Sequence, residues 1–243
     1  MDPKYSYFPE SQIDDYSLID GTVSFYLKVK ALYFERPNPR VLDFGAGRGS
    51  WMELDRSQTR RAIRDLRTGA GEVVAADVDE IVLQNICSHR QVLLKMGEKL
   101  PFDDASFDIV VSDFVFEHIA DPKAAADELM RIVKPGGWIC ARTSNKNGYI
   151  ALVARLIPNR SHANVLRSVQ PDRKAMDVFP TTYTLSTPSA IRRYFKGRKV
   201  IAFGVASDPS YHSNRKWLYA AFALLHKLLP RALAPGLFIF VQK

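Results

Sequence analysis

The amino-acid sequence predicts an α/β protein built on an open, doubly wound, mostly parallel sheet of seven strands, the last of them antiparallel. Three observations carry this reading. Apolar runs of strand length at Arg40 to Phe44, Glu72 to Val78, Phe107 to Phe114 and Trp138 to Thr143 are separated by stretches of helical pattern. The first run ends in an acid and a glycine-rich turn, Arg40 to Trp51 reading RVLDFGAGRGSW. The second ends in acids, at Asp77 and Asp79. Sheets of this kind bind ligands in the crevice outside the carboxyl ends of their strands.

The glycine turn has a chemistry of its own. Gly45, Gly47 and Gly49 stand at first, third and fifth positions, whereas the dinucleotide fingerprint has first, third and sixth. Glycine takes positive φ and has no Cβ, so a ligand can lie directly on the backbone, and the following helix turns its free N–H groups toward it. Asp43, two residues before the first glycine, would repel a pyrophosphate but suits a cofactor that carries an ammonium group.

Taken in order, residues 1–22 read as an irregular arm and Thr22 to Phe34 as a helix ended by Pro37 and Pro39. Ser50 to Thr68 reads as one long arginine-rich helix closed by Gly69 and Gly71, and Gln91 to Met96 as the third strand. Pro122 to Lys134 is helical, with Ala126, Leu129, Met130 and Val133 on its inner face, and Pro135-Gly136-Gly137 stops it before the fifth strand. Lys199 to Val205 and Leu237 to Gln242 supply strands six and seven. Asn214 to Leu229 fits neither a strand nor a clean amphipathic helix. Its apolar, aromatic centre is bracketed by cations, which suits either a helix packed on the sheet or one lying in a membrane interface.

Composition sets the outer limits. The 243 residues are 47% hydrophobic, enough for one large α/β core. No apolar stretch reaches the roughly 18 uninterrupted residues of a membrane span, and the acidic, aromatic N-terminus is unlike a signal peptide. Two cysteines, Cys87 and Cys140, fall in separate elements without metal spacing, so a reducing, cytoplasmic setting is expected and no metal site. The net charge of +8 is concentrated late: residues 190–243 hold ten Lys or Arg against one acid, Asp208. That balance suits a phosphorylated substrate, a nucleic acid, the anionic inner face of a membrane, or plain solvent.

Several motifs in one order resemble the class I S-adenosylmethionine-dependent methyltransferases. They are the acid and glycines of Asp43 to Gly49, the Leu100-Pro101-Phe102 turn with Ser106-Phe107-Asp108 after it, and Lys134-Pro135-Gly136-Gly137. The resemblance spans about Arg40 to Asn145 and implies a Rossmann-like fold with S-adenosylmethionine as cofactor. It implies one methyltransferase domain over 1–243: an N-terminal arm and helix at 1–39, a cofactor-binding core at 40–145, a substrate-covering insertion at about 146–185, and a basic, apolar region at 190–243. The cofactor would then rest on Asp43, Gly45, Ala46, Gly47 and Gly49. Asp77 with Val78 would meet its ribose, and Asp113 with Phe114 would stand beside the reacting centre. Met96 occupies the place where many members have an acid for the adenine, so adenine recognition passes to backbone near Gly97 and Glu98.

For an acceptor that must lose a proton, His118 is the first candidate base, since its ordinary pKa is near 6.5; it could equally cap a helix or wall the pocket. Tyr149, His162 and Tyr183 are candidate substrate contacts. The motif group points to a small or lipid-linked acceptor, a hydroxyl on a sugar, a quinone-like ring or a related metabolite. An RNA or protein acceptor, or a non-catalytic S-adenosylmethionine-binding scaffold, remains as the alternative, and oligomeric state is not legible.

Overall fold

The computed structural model describes residues 2–156, 181–209, 212 and 214–243. Its strands are β1 (Arg40–Phe44), β2 (Glu72–Asp77), β3 (Arg90–Leu93), β4 (Phe107–Asp113), β5 (Val133–Ser144), β6 (Lys199–Val205) and β7 (Gly236–Gln242). They form one sheet in the order β3-β2-β1-β4-β5-β7-β6. Strands β1 to β5 are mutually parallel, and β7 runs antiparallel between β5 and β6. The central strands are apolar on both faces, as a covered parallel sheet requires: Val41, Leu42, Ile109, Val110 and Val111 are fully buried.

Helices cover both faces. They are α1 (Pro3–Tyr7), α2 (Ser11–Asp14), α3 (Gly21–Glu35), α4 (Trp51–Leu54), α5 (Gln58–Arg64), α6 (Pro122–Ile132), α7 (Tyr149–Leu156), α8 (Pro188–Tyr194) and α9 (Lys216–Leu228). Because side chains alternate along a strand, the core divides by parity. Leu42, Val74, Val110 and Ile139 pack with Leu129 and Ile132 of α6 on one face. Val41, Val73, Ile109 and Cys140 pack with Phe25, Tyr26 and Val29 of α3 on the other. The same alternation carries Asp43, Asp113 and Arg142 to the α3 face at the carboxyl ends of β1, β4 and β5.

Three expectations change. The N-terminal residues are not an irregular arm, since Asp2 caps α1 and a second short helix follows at Ser11–Asp14. The arginine-rich stretch is not one helix: it ends at Leu54 and restarts at Gln58, where the Ser57 side chain accepts from the Arg60 N–H as an N-cap. Asp14 reinforces this second start by accepting from the Gln58 and Thr59 N–H groups and the Ser57 hydroxyl, and hydrogen bonding from the Thr59 side chain first, then from these groups, holds its carboxyl down at about 2. The third strand stops at Leu93, and Lys95 to Glu98 form a solvent-exposed turn with Gly97 at positive φ. The remaining strands and α3 and α6 lie within a few residues of their expected positions, apart from β5, which begins at Val133 and takes in the Pro-Gly-Gly stop.

The edge formed by β6 has no room to spare. A Cβ on Gly204 would lie 1.8 Å from the carbonyl oxygen of Arg231, in the turn that precedes β7. Gly204→Ala is therefore expected to destabilise the protein by about 2 kcal/mol or more, because backbone must move to admit the methyl. Thermal unfolding of the purified variant checks this; an unchanged midpoint would contradict the packing described.

Candidate active site

The glycine turn is fixed from three sides. The Gly45 N–H donates to the carbonyl of Ala76 at 2.7 Å, and the Gly47 N–H donates to Asp77 Oδ2 at 2.9 Å. From beneath, the buried Asn85 donates through Nδ2 to the Gly47 carbonyl at 2.8 Å while its Oδ1 accepts from the Cys87 N–H. The glycines at 45 and 47 have different reasons. Gly45 sits at φ +77 with Val115 only 2.2 Å from where a Cβ would stand, so a close approach forbids a side chain. Gly47, at φ +53, faces open space on which a ligand can lie.

Asp77 ends β2 with one backbone N–H on each oxygen, from Gly47 on Oδ2 and from Asp79 on Oδ1. A carboxylate has about four acceptor positions, so two remain for a diol. Asp79 caps the following turn through the Ile81 N–H, which leaves Asp77 free of that duty. Val78 beside it is exposed, as are Met96 and Glu98; Glu98 pairs with Lys95 at 3.7 Å.

Between β1 and α5 lies a cavity of about 40 Å³ lined by Tyr26, Asp43, Gly45, Trp51, Arg64 and Asp113, among others. Its charges are arranged in two unlike groups. Asp113 is fully engaged: Arg142 reaches it bidentately, Nε to Oδ1 at 2.5 Å and Nη2 to Oδ2 at 2.8 Å, and Arg64 Nη2 and Tyr26 Oη donate to Oδ2 at 3.1 and 3.0 Å. Burial alone would raise its pKa, but the two guanidiniums outweigh it and hold the carboxyl below the usual range.

Asp43 is the opposite case. Among the described residues it has no ion-pair partner within 4 Å, and burial, with Asp113 and Asp77 nearby and only Arg64 opposing, pushes it up to about 7. Across the same cavity, Arg64 Nε is buried and finds no hydrogen-bond acceptor among the described residues. The cavity thus presents one acid lacking a cation and one donor lacking an acceptor. An amino-acid end, ammonium and carboxylate, answers both, and a space with room for about three waters is of that scale. The donor set therefore fits the methionine end of S-adenosylmethionine, with the nucleoside end over the open Gly47 and Asp77 side.

Phe114 follows Asp113 in a left-handed conformation, φ 57, half-exposed and over the Arg142 guanidinium at 5.1 Å. A large residue held there is an outlier of the kind that gathers at ligand sites. His118 closes the short turn Phe116–His118 that comes next. That turn is anchored from below, where the buried Glu117 carboxylate accepts from the Thr143 and Ser144 hydroxyls. The Glu117 carbonyl accepts from the Thr182 and Tyr183 N–H groups. The structure therefore brings His118 and Tyr183 to one rim. Tyr149 goes elsewhere: its hydroxyl bonds His226 Nε2 at 2.8 Å, and its ring stacks on Phe222 of α9. His162 lies outside the described residues. Arg64, Arg142, Tyr26 and Asn85 had no sequence signal beyond their residue types.

Comparison with known proteins agrees with this geometry. Residues 42–141 match the family described as Methyltransferase domain. Over residues 42–141 the chain is thus similar to methyltransferase domains, and its fold is that of S-adenosylmethionine-dependent methyltransferases of known structure. Among relatives, it is 46% identical over 143 residues to an uncharacterized methyltransferase of Schizosaccharomyces pombe, covering 57% of this chain and 47% of that one. It is 26% identical over 155 residues to a ubiquinone biosynthesis O-methyltransferase of Paraburkholderia phymatum, covering 56% and 60%. It is 29% identical over 122 residues to a ubiquinone/menaquinone biosynthesis C-methyltransferase of Ectopseudomonas mendocina, covering 46% and 44%. The chain thus spans about half the length of the curated relatives it matches. Its fold is shared with an S-adenosylmethionine-dependent methyltransferase of Mesorhizobium loti, at a TM-score of 0.52 and 16% identity over 93% of this chain and 100% of that one.

Proposed function

We propose that the chain acts as one methyltransferase domain that moves a methyl group from S-adenosylmethionine to a hydroxyl on a small or lipid-linked acceptor, a quinone-like ring, a sugar or a related metabolite. The observation that carries the reading is the pairing of an uncompensated Asp43 with an unanswered Arg64 Nε in one cavity beside the glycine turn. The quinone-biosynthesis names of two relatives support the acceptor class.

When bound, the cofactor supplies an electrophilic methyl group on a good leaving group, so the protein's task is mainly alignment, which can supply several kcal/mol of the barrier. In this reading Asp43 takes the ammonium and Arg64 the carboxylate. Gly45, Ala46, Gly47 and Gly49 let the chain of the cofactor lie on backbone. Asp77 with Val78 takes the ribose hydroxyls, and backbone at Gly97 and Glu98 meets the adenine. Asp113, neutralised by its arginines, fixes Phe114 as the wall between cofactor and acceptor. His118 removes the acceptor's proton, with Tyr183 beside it as an acceptor contact; Tyr149 and His162 are assigned to the covering region.

Melting with S-adenosylmethionine should raise the midpoint by roughly 5–10 °C at a hundredfold excess over Kd, whereas NAD should not. In turnover assays with hydroxylated quinone-like acceptors, His118→Asn should lower kcat by about a hundredfold or more while cofactor affinity stays unchanged. No stabilisation by S-adenosylmethionine would remove the cofactor assignment. Binding without turnover on any acceptor class would favour a scaffold.

A further inference from the structure

Helix α9 has two unlike faces. One is built into the protein: Tyr219 and Ala223 are buried, Tyr219 donates to Asp208 at 3.1 Å, and Phe222 and His226 meet Tyr149. The other holds Trp217, Leu224, Leu225 and Leu228, which share a helical stripe at i, i+7, i+8 and i+11. Trp217 is 66% exposed, Leu224 52% and Leu228 72%. Isolated exposed apolar residues need no explanation, but a contiguous stripe does.

The surroundings of the stripe say what covers it. Arg215 and Lys216 stand at one end and Lys227 and Arg231 at the other, all exposed, and the sequence contains no acid after Asp208. Asp208 itself is turned inward, accepting from the Ser17 hydroxyl at 2.7 and 2.8 Å. An apolar stripe with an aromatic residue at one end and cations at both ends matches an anionic lipid surface: rings and leucines enter the acyl boundary while the cations meet headgroups. A protein partner would need acids placed at both ends and a complementary apolar face, which is a more demanding requirement. The helix is also well placed, because it follows β6 at the carboxyl end of the sheet. Ser207, on the way to it, lines a cleft with Phe114, Arg142 and Gly21.

We propose that the outer face of α9 docks the protein on an anionic bilayer, with Trp217, Leu224 and Leu228 inserted and Arg215, Lys216, Lys227 and Arg231 at the headgroups. The docking sets the rim of the active site toward the membrane, where a lipid-linked acceptor resides. It does not depend on the acceptor reading, and the helix lies flat: among the described residues no helix is long and apolar enough to cross a membrane.

The test is co-sedimentation of the full chain with vesicles of phosphatidylcholine alone or mixed with phosphatidylglycerol, with S-adenosylmethionine binding measured on the same samples. The mixed vesicles should retain the protein and the neutral ones should not. Trp217→Ser with Leu224→Ser and Leu228→Ser should weaken retention by about a hundredfold. Arg215→Gln with Lys216→Gln should weaken it by about fivefold for each cation, and added salt should mimic this change. These side chains are exposed, so the variants should keep wild-type cofactor binding, which separates lost docking from lost folding. Equal retention on neutral vesicles, no retention on either, or wild-type retention of the triple variant would overturn the proposal. So would concentration-dependent dimers that the triple variant abolishes, since a second copy would then cover the stripe.

Discussion

S-adenosylmethionine is expected to bind with an affinity that rises about tenfold per pH unit as pH approaches about 7 from below, and Asp43→Asn should abolish that rise along with most of the affinity. The reason is the proton on Asp43. With its pKa pushed up to about 7, the carboxyl is neutral in mildly acidic solution and cannot hold an ammonium until it ionises. The free α-amino group titrates near 8 and must stay protonated, so the profile should be bell-shaped, its acidic limb belonging to the protein and its alkaline limb to the ligand. Removing the guanidinium that favours the ionised form, in Arg64→Met, should move the acidic limb to higher pH. Titration calorimetry in buffers of different ionisation enthalpy reads both affinity and proton release. A flat acidic limb would mean that Asp43 is not the ammonium site.

The same group bears on the stability of the cofactor-free protein, and the sign follows from linkage. The unfolded chain releases the Asp43 proton near the ordinary aspartate value of about 3.9, whereas the folded one retains it to about 7. Between these values the folded state binds more protons than the unfolded state, so this group's contribution falls as pH rises through that window. Bound cofactor should reverse the trend.

Asp113→Asn should have the largest effect on stability, about 3–5 kcal/mol, because it leaves the Arg142 guanidinium buried without its counter-charge. For a chain of this size that corresponds to a fall of roughly 10 °C in midpoint. The single carboxylate joins four elements: β4 itself, β5 through Arg142, α5 through Arg64 and α3 through Tyr26. Arg142 also donates to Thr22 at 2.8 Å. Replacing both ions, Asp113→Asn with Arg142→Met, should recover part of the loss, because the more deeply buried cation then leaves with its counter-charge and only the less buried Arg64 loses a partner. Calorimetry on the wild type, the single variant and the pair decides it; an Asp113→Asn protein as stable as wild type would show that the cluster is hydrated rather than buried.

What could be read in the sequence was what is local. The glycine spacing, Asp43 and Asp77 act within one turn or at one strand end, and their meaning survives without knowledge of the rest of the fold. Asp113 was visible as a strand-end acid, but its partner was not. Asp113 and Arg142 meet because β4 and β5 pair in one register, and that register shifts between Phe107 and Ile109, which no side-chain pattern announces. Arg64 was hidden by its company. In an unbroken helix it reads as one solvated arginine among many, and only the break at Asp55 to Ser57 re-aims α5 so that this arginine lies against Trp51 at 4.7 Å and reaches the sheet. Helix α9 was ambiguous because it is apolar on two faces, one facing the protein and one facing out. Periodicity reports only that both are greasy.

The bonds that tie the first helices down also set an order in time. Asp14 caps a helix that starts more than forty residues later, Thr22 bonds Arg142 across a separation of 120, and Ser17 bonds Asp208 across 191. On a ribosome that adds about 5–20 residues per second, Ser17 must wait about ten seconds or more after its own synthesis for Asp208 to exist. Contacts of such high sequence separation form slowly even in the finished chain. The short helices before α3 are thus among the last parts of this chain to find their place, and α3, whose Tyr26 lines the cavity beside the glycine turn, is tied to β5 by the same class of distant bond.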